Sequence, residues 1–483
     1  GMWQKELGIK VEIDSTTFKD RLQRTDEGDF QIVMSGWGPD YNDPMSFMDM
    51  WITDGDFNQG GYSNPEYDEL IAKAKASPDN DERMDLMAEA EKILIEDMAI
   101  GPIYFRNVDY VKNDKLEGEV RRAFAPDPDF YWATIEGGVV NINIGTEPPD
   151  MDPQTTTDTV SFQLIGHTFE GLTRLDKDGK AMPGIAKDWD ISEDGLTWTF
   201  NLRDDAVWSN GDPVTAHDFE YAWKRALDPE LASQYAFIVY DHIENGLEYY
   251  SGEAKEDVVG VKALDDTTLE VKLVNPAPYF DTLVAFGTFM PLNEKYHESV
   301  GDKYAADADK MLYNGPFVMS TWDHDSKVVL EKNPDYWNAD EIKLETINCA
   351  MIKDSNSALN KFLTGELDMV GIPGTQREQV QKEGYELLHY ADGSSWYFLF
   401  NLEDEILANA NIRKALTNAI DRKTFVEKVV QNDSDVGLGF VPPVMPGKSG
   451  SYREEVGDLF KDNDINAAKE YLEKGIEELG LNK

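Results

Sequence analysis

Trp208-Ser209-Asn210-Gly211-Asp212-Pro213-Val214-Thr215-Ala216-His217-Asp218-Phe219 is the stretch on which the fold turns. Asn210-Gly211 is a strong turn signal. Thr215 stands where an N-cap belongs, and residues 215–226 read as an amphipathic helix with Phe219, Ala222 and Trp223 on one face. Just upstream, Trp198-Thr199-Phe200-Asn201-Leu202 alternates as a half-buried strand does. Downstream, residues 259–264 and 268–273 form a hairpin pattern around Asp265-Asp266. Strands closed by a helix are therefore expected at the centre of the chain.

Toward the C-terminus, strands are predicted at 327–331, 346–352, 366–370 and 396–401, and helices at 279–284, 356–364, 412–421, 422–430 and 465–479. Toward the N-terminus, residues 3–8 read as the end of a helix, 10–14 as a strand and 16–24 as a helix. A strand over 30–37 and a helical stretch over 46–51 follow. Helices then occupy 64–76 and the segment after Ser77-Pro78, with Ser77 as its cap. In that second helix Met84, Met87, Leu94, Ile95 and Met98 share one face, a core stripe rather than a cofactor contact. Strands are expected at 100–104, 131–135 and 139–144, with Gly137-Gly138 before the last. This alternation makes the class α/β, with α+β mixed sheets.

With 483 residues the chain has room for two or three domains. A hydrophobic share of 41% makes it globular rather than disordered. A formal charge of −48 repels phosphate backbones and anionic membranes, so nucleic acid is not an expected partner. Cys349 is the one cysteine, which excludes an intrachain disulfide. It lies in a strand pattern and reads as core, not as a nucleophile. No apolar run is long enough to span a bilayer. No leader is read at the start, where Gly1-Met2 opens directly into a helix. His167, His217, His242, His297, His324 and His389 are scattered without metal-ligand spacing. No phosphate-cradling loop or nucleophile elbow occurs, so no cofactor, metal or catalytic residue is expected. Asp127-Pro128-Asp129 and Asp462-Asn463-Asp464 lack the rest of a calcium loop and read as solvated turns.

One stretch offers two readings. Ser35-Gly36-Trp37-Gly38-Pro39-Asp40-Tyr41-Asn42-Asp43-Pro44 ends an apolar strand on glycines, an aromatic and a carboxylate. Asp40 can cap its own turn with Trp37 in the core. Alternatively, the glycines admit another backbone and Asp40 receives the ammonium of a peptide's free end.

A resemblance favours the second. Phe169-Glu170-Gly171-Leu172, Pro183-Gly184-Ile185-Ala186, Trp198-Thr199-Phe200 and the Trp208–Phe219 stretch follow in the order and spacing of a known family. Pro278-Tyr279-Phe280, Asn314-Gly315-Pro316-Phe317, Tyr336-Trp337-Asn338, Gly365-Glu366-Leu367-Asp368 and Ile412-Arg413-Lys414-Ala415-Leu416 with Ile420-Asp421-Arg422 continue it. Across essentially its whole length the chain resembles the oligopeptide-binding proteins, family 5 solute receptors of ABC importers.

The resemblance implies a two-lobed, periplasmic-binding-protein-like fold of three domains, with a hinge and a central cleft. One lobe would comprise 116–136, 139–157 and 292–392, with 158–291 as its small extra domain. The other would comprise 1–115 and 393–483. Residue by residue, Asp40 matches the aspartate that pairs with the ligand's α-ammonium. Gly36 and Gly38 match positions bonding the ligand backbone, and Thr146, Glu147 and Pro148 match the opposing edge. Trp37, Trp396 and Tyr397 would line side-chain pockets, and Tyr41 is grouped with them. Met34 and Ser35 stand where some members place a basic residue for a short ligand's carboxylate. The implied partners are an oligopeptide and the membrane permease of the importer, outside the cytoplasm, in the periplasm or as a surface lipoprotein.

The order of the parts departs from the family. Residues 139–153 resemble its N-terminal strand and residues 3–136 its C-terminal part. A circular permutant, engineered or split, is therefore expected. Its old termini meet at Gly137-Gly138, and its new ends lie near Trp3 and Lys483. The family's strand-and-helix segment between the parts matching those ends is missing, so a complementing fragment is a further expected partner. Two alternatives stay open: a family receptor for a dipeptide, a sugar or nickel, and a carbohydrate-active enzyme.

Overall fold

Trp208 and Asp218 tie the stretch quoted first into one unit. The indole Nε1–H donates to Asp218 Oδ2 at 3.0 Å. The same oxygen accepts from the Thr215 N–H at 2.9 Å, completing a capping box at the start of the helix Ala216–Ala226. Gly211 takes φ +89° in the Asn-Gly turn, a conformation open to glycine. Trp208, Phe219, Ala222 and Trp223 are all buried. The burial that makes this motif stable also pushes the Asp218 carboxyl up to about 6.

The computed structural model describes residues 1–481; Lys483, expected as a chain end, lies outside the described residues. The chain forms two compact units, Gly1–Asp109 with Pro373–Lys483 and Tyr110–Ile372. The boundaries expected at 115/116 and 392/393 thus fall at 109/110 and 372/373. Arg377 explains part of the difference, since it pairs with buried Asp109 at 2.6 Å and fastens its segment to the first unit.

In the first unit the strand Ile32–Trp37 pairs antiparallel with Leu388–Phe400, and Asp435–Val436 pairs with Ile100–Lys112. The helix Pro65–Ala76 is capped by Asn64, with proline in its first turn. The next helix, Asn80–Glu96, starts later than expected, because Asp79 and not Ser77 caps it, accepting from the Glu82 N–H. Met84, Met87, Leu94, Ile95 and Met98 are buried, as a core stripe requires. Arg413 and Arg422 are buried too. Arg413 donates to the carbonyls of Met98, Leu407, Ala408 and Asp97. Arg422 donates to those of Pro102, Ile420 and Thr417. Burial pulls both guanidinium groups down to about 10.

The strand expected over 10–14 does not form. Val11 is 50% and Ile13 88% exposed. The alternation is present, but no strand among the described residues pairs with it, and an extended segment without a ladder partner has no reason to stay one. Residues 131–135 likewise make only an isolated bridge, Glu117 to Thr134, in place of the expected strand.

In the second unit Val139–Asn143 lies parallel to Thr346–Ala350, with Lys327–Lys332 and Phe317–Asp323 following antiparallel. A separate four-stranded antiparallel sheet takes Ala186–Ile191, Thr197–Leu202, Thr268–Lys272 and Val261–Asp265 in that order. It falls within 158–291, the stretch expected as a small extra domain. Gly137 and Gly138 turn at φ +84° and +69°, and the Gly138 carbonyl accepts from Glu345 N–H at 2.7 Å as the next strand begins. Cys349 is buried in its strand, and burial pushes its thiol up to about 12, far from thiolate chemistry.

Candidate ligand-binding site

The first unit brings Gly36, Trp37, Gly38, Asp40 and Trp396 onto adjoining elements. Gly36 and Trp396 are direct partners across the antiparallel pair. A Cβ on Gly36 would meet Trp396 Cε2 at 2.7 Å, so the indole fills the space that the missing side chain leaves. Glycine at 36 thus serves packing on that face. Gly38 is different: nothing lies within 4 Å of a Cβ placed there.

The Trp396 ring is held from several sides. Tyr104 stacks parallel to it at 6.0 Å and 8°. The Arg106 guanidinium lies 5.0 Å from its ring centre, and Asp392 pairs with Arg106 at 2.5 Å. Trp396 Nε1–H donates to Ser394 Oγ. The half-buried indole is a rigid wall with a cation behind it.

Tyr397 corrects the expectation. Successive strand residues face opposite sides, so Tyr397 points away from Trp396 and is only 3% exposed. It packs edge-on to Trp51 and Phe440 at 5.7 and 5.2 Å. Tyr41, equally buried, is also core. Neither lines an open pocket. Trp37 is half-buried and folded onto its own loop, with its Nε1–H donating to the Ser46 carbonyl and its ring against Phe57.

Asp40 is half-buried on the turn that follows the strand, and its backbone N–H donates to Ser46 Oγ at 2.8 Å. Asp43 anchors this loop. It is buried, forms a two-pronged pair with Arg83 at 2.8 and 3.0 Å, and accepts from the Met45 N–H. This pair pins the loop carrying Asp40 to the helix Asn80–Glu96. Asn42-Asp43-Pro44 signalled a turn in the sequence; the distant arginine partner had no local signal.

In the second unit, Thr146, Glu147 and Pro148 lie past the end of the strand Val139–Asn143 and form no ladder of their own. The expected edge is an irregular segment. Glu147 is already engaged: Oε1 accepts from Trp322 Nε1 at 2.9 Å, and Oε2 from the Asp325 N–H at 2.7 Å. His324 Nδ1 lies 2.6 Å from Oε1. Sequence reasoning missed His324 because the two residues are 177 positions apart. A small cavity of about 20 Å³, lined by Arg122, Asp129, Phe162, Glu170, Arg174 and Met290 among others, contains none of the expected residues. Among the described residues no cluster of three or more His, Cys, Asp or Glu is placed to hold a metal ion, and no helix is long and apolar enough to cross a membrane.

This mixed α/β architecture of several sheets is periplasmic-binding-protein-like. The model of bacterial extracellular solute-binding proteins, family 5 Middle, matches residues 1–59 and 180–483, and the chain belongs to that family. It is similar to the oligopeptide-binding protein OppA of Bacillus subtilis (strain 168), at 46% identity over 350 residues, covering 71% of this chain and 63% of that protein. Dipeptide-binding protein DppE of the same strain is 40% identical over 347 residues, with the same shares. The chain therefore spans about 63% of the length of these two relatives. Listeria monocytogenes OppA bound to peptide superposes with a TM-score of 0.64 at 34% identity, covering 72% of this chain and 69% of that one. That membership gives no support to the alternative of a carbohydrate-active enzyme.

Proposed function

We propose that this protein is an extracytoplasmic receptor that binds oligopeptides with a free amino end and delivers them to the permease of an ABC importer. One observation supports this most directly: Asp40 stands on a loop pinned by the buried Asp43–Arg83 pair, beside the open backbone at Gly38. A fixed carboxylate next to accessible backbone suits an ammonium followed by an extended chain. In the first unit Asp40 receives the α-ammonium, Gly38 approaches the ligand backbone and Trp396 walls a side-chain pocket. In the second unit residues 146–148 present backbone groups. Main-chain bonding gives affinity without reading sequence, so selectivity among peptides is weak.

Mass spectrometry of ligand released from the purified protein tests the class, with oligopeptides expected. Release of only glycans or bile-acid-like compounds overturns it. Dipeptides are the second reading, supported by the relative named for them.

We also read the chain order as a circular permutation joined at Gly137-Gly138. Both glycines adopt left-handed backbone where the chain enters the strand Val139–Asn143, which supports a linker at that point. Cleavage at a protease site inserted there should leave the fold intact; cooperative unfolding on cleavage would refute this. The exposed alternation at Val11 and Ile13 supports pairing of 9–14 with a further strand from outside the described residues. Adding the strand-and-helix segment of B. subtilis OppA as a peptide should raise the melting temperature, and an unchanged one counts against it.

A further inference from the structure

His324 sits in the turn between the strands Phe317–Asp323 and Lys327–Lys332, with a carboxylate at each ring nitrogen. Nδ1 lies 2.6 Å from Glu147 Oε1, and Nε2 lies 3.1 Å from Asp307 Oδ1. A neutral imidazole has one N–H and can donate to only one of them; the imidazolium donates to both. The ring also packs on Trp322 at 4.5 Å, and Trp322 donates to the same Glu147 oxygen. Three separate stretches of chain thus meet on one side chain: residues 146–148, the hairpin turn and the segment before the short helix Ala308–Lys310. The charged groups packed against the ring are Glu147 and Asp307. On its own hairpin, Asp323 is paired with Lys327 at 3.6 Å.

We propose that His324 is a positioning residue for peptide binding: as an imidazolium it ties Glu147 to Asp307 and so holds residues 146–148 in the conformation that meets the ligand. This rests on the receptor reading above. When the proton leaves, the ring can donate to only one carboxylate, so the link between Glu147 and Asp307 breaks, while Trp322 and the Asp325 N–H still hold Glu147 to the hairpin. The Glu147 bond, foremost, holds the ring's pKa above the ordinary 6.5; desolvation opposes it, and the Asp307 bond adds to it. The tether is therefore complete below the ordinary histidine range and is lost as pH rises through the raised value.

The test is calorimetric titration of tetra-alanine into the parent protein, His324→Gln and Asp307→Asn, at about pH 6 and about pH 9. The parent is expected to bind about three- to tenfold more weakly at the higher pH, the scale of a partly exposed charge pair. His324→Gln should match the parent's high-pH level at about pH 9 and keep only the smaller pH dependence that comes from loss of the peptide's own α-ammonium. Asp307→Asn should move the transition to lower pH, and the His324 ring resonance should titrate lower in step. If His324→Gln binds and keeps the parent's pH profile, the positioning role is overturned and the receptor reading stands. If the parent does not bind at either pH, both are overturned.

Discussion

The Trp396 indole occupies the place where Gly36 would carry a side chain, across a single antiparallel rung of the first unit's sheet. Position 36 is thereby coupled to the aromatic wall and, through it, to Arg106 and Asp392. Gly36→Ala should push the indole off Tyr104 and cost about 1–3 kcal/mol, the range for overpacking a fitted site. Tryptophan fluorescence and urea unfolding read both effects. An unchanged midpoint would show that the ring yields freely.

Gly38→Ala should behave in the opposite way. Its Cβ enters open space, so folding stability should stay within about 0.5 kcal/mol of the parent. Peptide affinity should fall if the ligand backbone approaches there. Calorimetry beside thermal melts separates the two quantities.

Asp40 and Asp43 should separate cleanly by substitution. Asp40→Asn is expected to weaken peptide binding by about 2–5 kcal/mol with little effect on melting. Asp43→Asn leaves Arg83 buried without its counter-charge and should cost about 3–5 kcal/mol of stability. Loss of binding in Asp43→Asn without loss of stability would mean that the ammonium anchor has been assigned to the wrong carboxylate.

Asp218 gives a pH prediction. Its carboxyl is raised from 3.8 to about 6, by burial before all else. The folded state thus holds the proton more tightly than the unfolded state does, and this group's contribution declines as pH rises from about 4 to about 6, then levels. Relative to Asp218→Asn, the parent should lose on the order of 3 kcal/mol across that window. Urea unfolding of both proteins at stepped pH measures the difference; parallel curves would contradict it.

Much of the fold was written locally. Thr215, Asp218 and the apolar face of 216–226 announce their helix within a few residues, and the hairpin around Asp265-Asp266 needs only alternation and a turn. The 10–14 segment shows the limit: alternation specifies a strand only where a neighbour supplies a ladder, and pattern alone cannot reveal that neighbour. The candidate site divides in the same way. The side parity of Trp396 and Tyr397 was legible from their adjacency. The Asp43–Arg83 and Glu147–His324 pairs join distant positions in a chain with 93 acidic residues, where any carboxylate is a candidate partner.

Arg413 is met by backbone carbonyls, and Arg422 by backbone carbonyls with the carboxylate of Asp462 at 3.1 Å. Their positive charge therefore neutralises little of the acidic exterior. With only 45 lysines and arginines against 93 acids, each cation placed inside makes the outer shell more anionic than the formal sum suggests. Repulsion in that shell reaches about 8 Å at physiological salt and about 30 Å in dilute buffer. Dissolved counter-ions offset that repulsion, and stability is expected to rise with salt, which urea unfolding at stepped ionic strength measures.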